Sequence, residues 1–281
     1  MTRQVFLGFF LAFFFGISSA APSATVEQNP SAFRVGIAPH TSARIILQMY
    51  QPLRAHLEKA LGRPVMILTA SDFSDFATRG LRQEFDLAVT TGHQARLFET
   101  DAGYMPMLTY KADFKAVILA GMTSPYRDPK DLANSTVIGQ SPSSLVTIWG
   151  QQWLHRNNIP NVQVRYASAS DSVAQLVLNG EGSAGMMSLA NYQSLKPEVR
   201  ARLRILDESP RMAGRVYMLN KRNALLREKL NKALWSFAET PEALEYFSKY
   251  SLEGYRRLEP RELFEMEPYA NEVRQALKKE K

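Results

Sequence analysis

Between residues 33 and 187 the chain alternates short apolar runs with segments of helical period, and that alternation restricts its fold more than any other feature. Phe33-Arg34-Val35-Gly36-Ile37-Ala38 reads as a first strand, stopped by Pro39. A helical pattern follows, with Ile46, Met49, Leu53, Leu57 and Leu61 on one face and Gly62 as its terminator. Pro52 falls inside this pattern and is expected to kink the helix or split it in two. Further strands are expected at 65–69, 86–89, 115–121, 136–139, 162–166 and 184–187, with helices at 73–81, 92–98, 145–157 and 173–178. Strands spaced by helix-length segments indicate parallel sheets covered by helices. After a last strand at 215–219 the pattern is helical throughout, with Leu226, Leu230, Leu234 and Phe237 at helical spacing and further helices at 241–250 and 260–277.

This layout predicts two α/β lobes. Residues 33–114 with 217–281 would form the first, and residues 115–216 the second. The strands near Lys115 and Arg215 would then cross between the lobes as a two-strand hinge, leaving a cleft of the kind in which small ligands collect.

The first 32 residues read differently. Arg3 precedes an apolar run from Val5 to Ile17, and Ser18-Ser19-Ala20-Ala21 follows it. A positive charge, a short apolar core and small residues are the parts of a secretory signal, expected here over 1–21 with cleavage after Ala20 or Ala21. The run is short for a membrane span, which takes about 20 apolar residues. Residues 22–32 are polar and contain proline, and read as a linker. The chain has no cysteine, so a disulfide scaffold, a thiolate site, a cysteine nucleophile and a lipidated N-terminal cysteine are all excluded. The expectation is a soluble periplasmic monomer that is not lipid-anchored. The formal charge of +7 suits an anionic ligand, whereas export argues against nucleic acid. The basic tail Lys278-Lys279-Glu280-Lys281 reads as a solvated helix end.

Four strand-to-helix turns carry hydroxyls or histidine. The most informative is Gly139-Gln140-Ser141-Pro142-Ser143-Ser144-Leu145, a strand end followed by a hydroxyl-rich helix start. A helix start has unpaired N–H groups and partial positive charge, so Ser141, Ser143 and Ser144 could cradle an oxyanion. The same serines could simply cap the helix, and the residues alone leave both readings open. Thr90-Thr91-Gly92-His93 makes a second such turn, at the strand end where ligands gather in open α/β sheets. His40 lies in a third, after the first strand, and Ser170 and Asp171 lie in a fourth. Asp72 and Asp75 read as partners of a helix dipole. Signals of catalysis are poor: the chain lacks a His-Glu-x-x-His motif, a nucleophile elbow, a dinucleotide loop and a Walker lysine. The expectation is a binder without cofactor or metal.

Several stretches together resemble the phosphate/phosphite/phosphonate-binding periplasmic proteins of ABC transporters. They are Val35-Gly36-Ile37-Ala38-Pro39, Tyr50-Gln51-Pro52-Leu53-Arg54-Ala55-His56-Leu57-Glu58 with Leu61-Gly62-Arg63-Pro64-Val65, Phe85-Asp86-Leu87-Ala88-Val89, Gly103-Tyr104-Met105-Pro106-Met107, Ser141-Pro142-Ser143-Ser144 and Asn179-Gly180. The resemblance covers residues 33–240. It implies a two-lobed type 2 periplasmic-binding fold, each lobe a mainly parallel sheet flanked by helices, with delivery of a captured ligand to a membrane permease. The family's anion turn matches Ser141, Ser143 and Ser144, with Pro142 where a hydroxyl is expected. Three positions depart from the family pattern: Thr90 and Thr91 replace an aromatic residue, Ser170 stands where phosphonate binders have histidine, and an acid expected near Ser183 is absent. The same fold also serves in modules that report ligand state to a membrane sensor, which is the alternative function; a periplasmic enzyme is the minor one.

Overall fold

The first strand, β1 (Phe33–Ile37), pairs between β3 (Leu87–Thr91) and the edge strand β2 (Val65–Leu68); Phe33, Val35 and Ile37 are buried, and Arg34 stays partly exposed. The computed structural model describes residues 32–167 and 169–279, so the expected signal segment and all but the last residue of the expected linker lie outside the described residues. Helix α1 (Ala43–Leu61) buries Ile46, Met49, Tyr50, Leu53 and Leu57 on one face. It ends at Gly62, whose φ of 69° is left-handed and whose N–H donates to the Glu58 carbonyl. Pro52 does not split this helix, which runs unbroken through it. Gln48, the residue whose carbonyl loses its partner, is exposed, so water can take that carbonyl.

The first sheet continues with β2 (Val65–Leu68), α2 (Phe73–Leu81), β3 (Leu87–Thr91), α3 (Gly92–Ala102) and β4 (Tyr104–Tyr110). The chain then crosses to a second sheet made of β5 (Ala116–Gly121), β6 (Thr136–Gly139), β7 (Gln163–Tyr166), β8 (Ala184–Ser188) and β9 (Leu203–Glu208). Helices α4 (Leu145–Arg156), α5 (Ser170–Leu178), α6 (Leu189–Gln193) and α7 (Pro197–Arg200) connect those strands. The chain returns through β10 (Arg215–Asn220) and closes with α8 (Arg227–Ala238), α9 (Pro241–Lys249), β11 (Tyr255–Arg256) and α10 (Glu267–Lys279). The strand orders are β11-β4-β10-β3-β1-β2 and β7-β6-β8-β5-β9.

Each sheet has a parallel core, β2-β1-β3 in one and β7-β6-β8 in the other. The strands that carry the chain between lobes add to these cores antiparallel: β10 on β3 and β4, and β5 on β8 and β9. This is the two-lobed α/β arrangement with a two-strand hinge. Phe114 and Met212 form a bridge where the two crossing segments pass each other, and Lys115–Glu208 (2.6 Å) and Arg211–Asp113 (2.8 Å) tie the same segments by ion pairs.

Strands β4 and β9 were not apparent in the sequence. Pro106 interrupts β4, and a register shift in its pairing with β10 accommodates a residue that cannot donate to the ladder. Strand β9 is an edge strand carrying Arg204, Asp207 and Glu208, so its period is masked by charge.

The first sheet packs α1, α8 and α9 on one face and α2, α3 and α10 on the other. In the second, Trp149 and Trp153 of α4 cover one face and Val173 and Val177 of α5 the opposite one. One apolar cluster passes between the lobes, joining Leu145 and Ile148 of α4 to Met266 and Val273 beside α3.

Packing under β1 is tight at Gly36, where an added Cβ would lie 2.5 Å from the Phe85 ring, itself stacked on Phe76 at 4.9 Å. Gly36→Ala should therefore cost about 1–3 kcal/mol by overpacking, measured as a lower urea midpoint with unchanged slope. A midpoint equal to wild type would show that the ring pair yields freely.

Candidate functional site

The C-terminal ends of both parallel cores point into the space between the lobes, and the turns after those strands meet there. Two groups of side chains result. The first is a closed contact. Ser143, ahead of α4, shares a 2.6 Å hydrogen bond with the Ser74 hydroxyl of α2, so a residue of each lobe touches the other. His93 donates from Nε2 to the Ser143 carbonyl at 2.9 Å, which leaves Nδ1 to accept from the Thr91 hydroxyl at 3.0 Å. Ser144 is the N-cap of α4, taking the Thr147 N–H and donating to Thr147 Oγ1 at 2.8 Å. Thr90 donates to Gln94 at 3.0 Å. Thr90, His93, Ser143 and Ser144 are thus buried and hydrogen-bonded to the protein itself. The Ser141 hydroxyl is the exception: it is buried and has no partner among the described residues.

The second group surrounds an open cavity of about 320 Å³ between the lobes. His40 and Thr41 line it from the first lobe, and Ser170, Asp171 and Asn191 from the second. Asn191 reaches across to donate to the His40 carbonyl at 3.2 Å. Ile45, Met49 and Leu195 give the cavity an apolar side, and Lys249 with Tyr250 closes it from the end of α9.

Arg215, also in this wall, was not singled out in the sequence. It opens β10 in register with Thr91, and its Nη1 donates to His40 Nε2 at 2.9 Å. A guanidinium can only donate and a carbonyl can only accept, so His40 carries its proton on Nδ1, which donates to the Ala38 carbonyl at 2.9 Å. Burial and then the Arg215 charge hold the His40 pKa down to about 3, so the ring is neutral. Arg215 also lies 5.2 Å from the Tyr110 ring centroid, and behind that ring Tyr110, Tyr217, Tyr246 and Tyr255 form a buried hydroxyl network. Burial raises the pKa of each of these four phenols, so they supply no negative charge. The lone arginine had no local signature: Arg34 stands likewise near the start of a strand, yet it pairs with Asp86.

The sequence profile of a family described as ABC transporter, phosphonate, periplasmic substrate-binding protein matches residues 35–263. The chain belongs to this family. Substrate-binding proteins of ABC importers bind small ligands and deliver them to a membrane permease. Among the described residues of this family member, no helix is long and apolar enough to cross a membrane. Its fold is similar to that of a binding-protein component of an ABC phosphonate transporter from Pseudomonas aeruginosa, at 15% identity over 88% of each chain and a TM-score of 0.75. It is also similar to a phosphonate-binding protein from Prochlorococcus marinus in complex with methylphosphonate, at 15% identity over 88% of this chain and 100% of that one, TM-score 0.73. A Xanthomonas citri protein bound to chloride ion matches at 19% identity over 87% of this chain and 99% of its own, TM-score 0.73. No curated protein shows a significant sequence match to the chain.

Within this substrate-binding protein the two site histidines make its stability depend on pH. Burial lowers the His93 pKa from 6.5 to about 4, so the folded ring stays neutral where the unfolded one is protonated. Stability is complete above about pH 6.5 and falls as the pH drops towards 4, because unfolding then takes up a proton, with a slope of up to about 1.4 kcal/mol per pH unit. His40 contributes with the same sign. Urea midpoints measured from pH 7 to pH 5 should fall more steeply for wild type than for His93→Gln; parallel slopes would mean His93 is protonated in the fold.

Proposed function

We propose that this chain captures a small anionic ligand of the phosphate or phosphonate kind in the cavity between its lobes and delivers it to the permease of an ABC importer. The single observation that carries this reading is the 320 Å³ cavity walled by turns of both lobes, with His40 and Thr41 on one side and Ser170, Asp171 and Asn191 on the other. A ligand held there touches both lobes at once and so favours the closed arrangement by its differential affinity for it. Ser74, Ser143 and His93 add to closure by bonding the two lobes to each other directly. Ser141, Thr90, Thr91 and Ser144 stand in the neighbouring turns and do not line this cavity, so they take no part in holding the ligand in it. The protein acts by binding rather than by chemistry, as a monomer, after export directed and then removed at residues 1–21.

A thermal-shift series with phosphate, phosphite, methylphosphonate, 2-aminoethylphosphonate and methanesulfonate tests this reading. At a hundredfold excess over Kd a true ligand stabilises the fold by about 2.7 kcal/mol, a rise in Tm of about 5–10 °C for a chain of this size. The lack of any stabilisation at millimolar concentration across the series would contradict it.

A further inference from the structure

Three neutral groups surround the Arg215 guanidinium: the His40 imidazole lone pair, the Met49 sulfur at 4.0 Å and the Tyr110 ring face. None of the ion pairs among the described residues includes Arg215. Arg34, near the start of β1, and Arg222, just beyond β10, both reach Asp86, at 3.6 and 2.7 Å. Asp171 is the one acid lining the cavity, and it is solvent-exposed on the opposite lobe. A guanidinium has five N–H donors, and only Nη1 has acceptors in the described protein. A cation recessed from bulk water without an anionic partner is costly, and the cost is removed when an anion supplies one.

The start of α4 is less available to a ligand. The Ser143 hydroxyl and carbonyl are engaged by Ser74 and His93 of the other lobe, and Ser144 is committed to Thr147. The cavity beside Arg215 is open, and about 320 Å³ lies at the lower end of the range for small organic ligands. Its apolar side at Ile45, Met49 and Leu195 would be left bare by an inorganic ion alone.

We propose that Arg215 is the charge-recognising residue of the cleft, its guanidinium taking two oxygens of an organic oxyanion whose carbon portion lies against Ile45, Met49 and Leu195. His40 is a positioning residue: its Nε2 holds Nη1, and the Ala38 carbonyl and Asn191 fix His40 in turn. This assignment rests on the capture reading and locates the charge readout on the returning strand β10 rather than at a helix start. The planar fork suits a carboxylate or a phosphonate head group alike.

Calorimetric titration of wild type, Arg215→Met, Arg215→Lys, Ser143→Ala and Arg34→Met with inorganic phosphate, methylphosphonate, butylphosphonate and butyrate tests it. The phosphonate and carboxylate arms separate the two head groups, and butylphosphonate is expected to bind more tightly than methylphosphonate. Arg215→Met should weaken the tightest of these ligands by about a hundredfold. Arg215→Lys, which keeps the charge but loses the fork, should weaken it less. Arg34→Met should leave affinity within about twofold, and Ser143→Ala should cost less than Arg215→Met. Arg215→Met removes an unpaired charge, so its unliganded Tm should not fall; should it fail to fold, Arg215→Lys carries the comparison. Affinity unchanged in the folded Arg215 variants, or a larger loss in Ser143→Ala, overturns the assignment and leaves capture standing. Wild type that binds none of the four overturns both.

Discussion

The cleft contains a positive charge, Arg215, that no carboxylate among the described residues pairs with. The groups that touch the Arg215 guanidinium are neutral, and the surroundings keep them so: burial, and then the nearby cation, hold His40 unprotonated, and burial holds the phenols behind Tyr110 in their protonated form. In a medium of low polarity an unmatched charge dominates what binds nearby, because the interaction is weakly screened. The tyrosine network therefore serves two ends. It fills the core beneath α1 and α9, and it provides a polar but uncharged floor for the arginine.

The position of that arginine follows from topology. Strand β10 is the return crossing between lobes, and its first residue stands where the hinge meets the cavity. Antiparallel pairing with β3 places Arg215 opposite Thr91, next to the turn from which His93 reaches the second lobe. Among the described residues, hydrogen bonds at Ser74–Ser143, His93–Ser143 and Asn191–His40 join the lobes directly in the cleft. At about 1 kcal/mol net each, such contacts favour closure modestly and leave room for a ligand to decide it. The apolar cluster shared by α4, α3 and α10 lies beside the same joint, so the C-terminal helix limits how the lobes can separate.

The fold was largely legible in the sequence because its signals are local. Gly62 ends α1 by its left-handed backbone, Asp72 caps α2, and the apolar runs of β3, β5 and β6 stand between clear helical patterns. Where a strand was hidden, its period was broken by Pro106 or by the charges of an edge, and Pro52 shows that one residue's preference yields to nineteen residues of well-packed helix. The site was legible only in part. The turns could be found, and His40, Ser170 and Asp171 do line the cavity. That the Ser143 hydroxyl is spent on the protein itself depends on Ser74, 69 residues away, and what surrounds Arg215 depends on His40, 175 residues away. Periodicity carries no record of such pairings.

A crystal structure of the protein grown with methylphosphonate tests the central claim most directly. The account predicts the anion between the lobes, within hydrogen-bond distance of the Arg215 guanidinium, with His40 still accepting from Nη1. An anion held at the start of α4 and out of reach of Arg215, or an Arg215 turned onto a carboxylate of the protein, would contradict it.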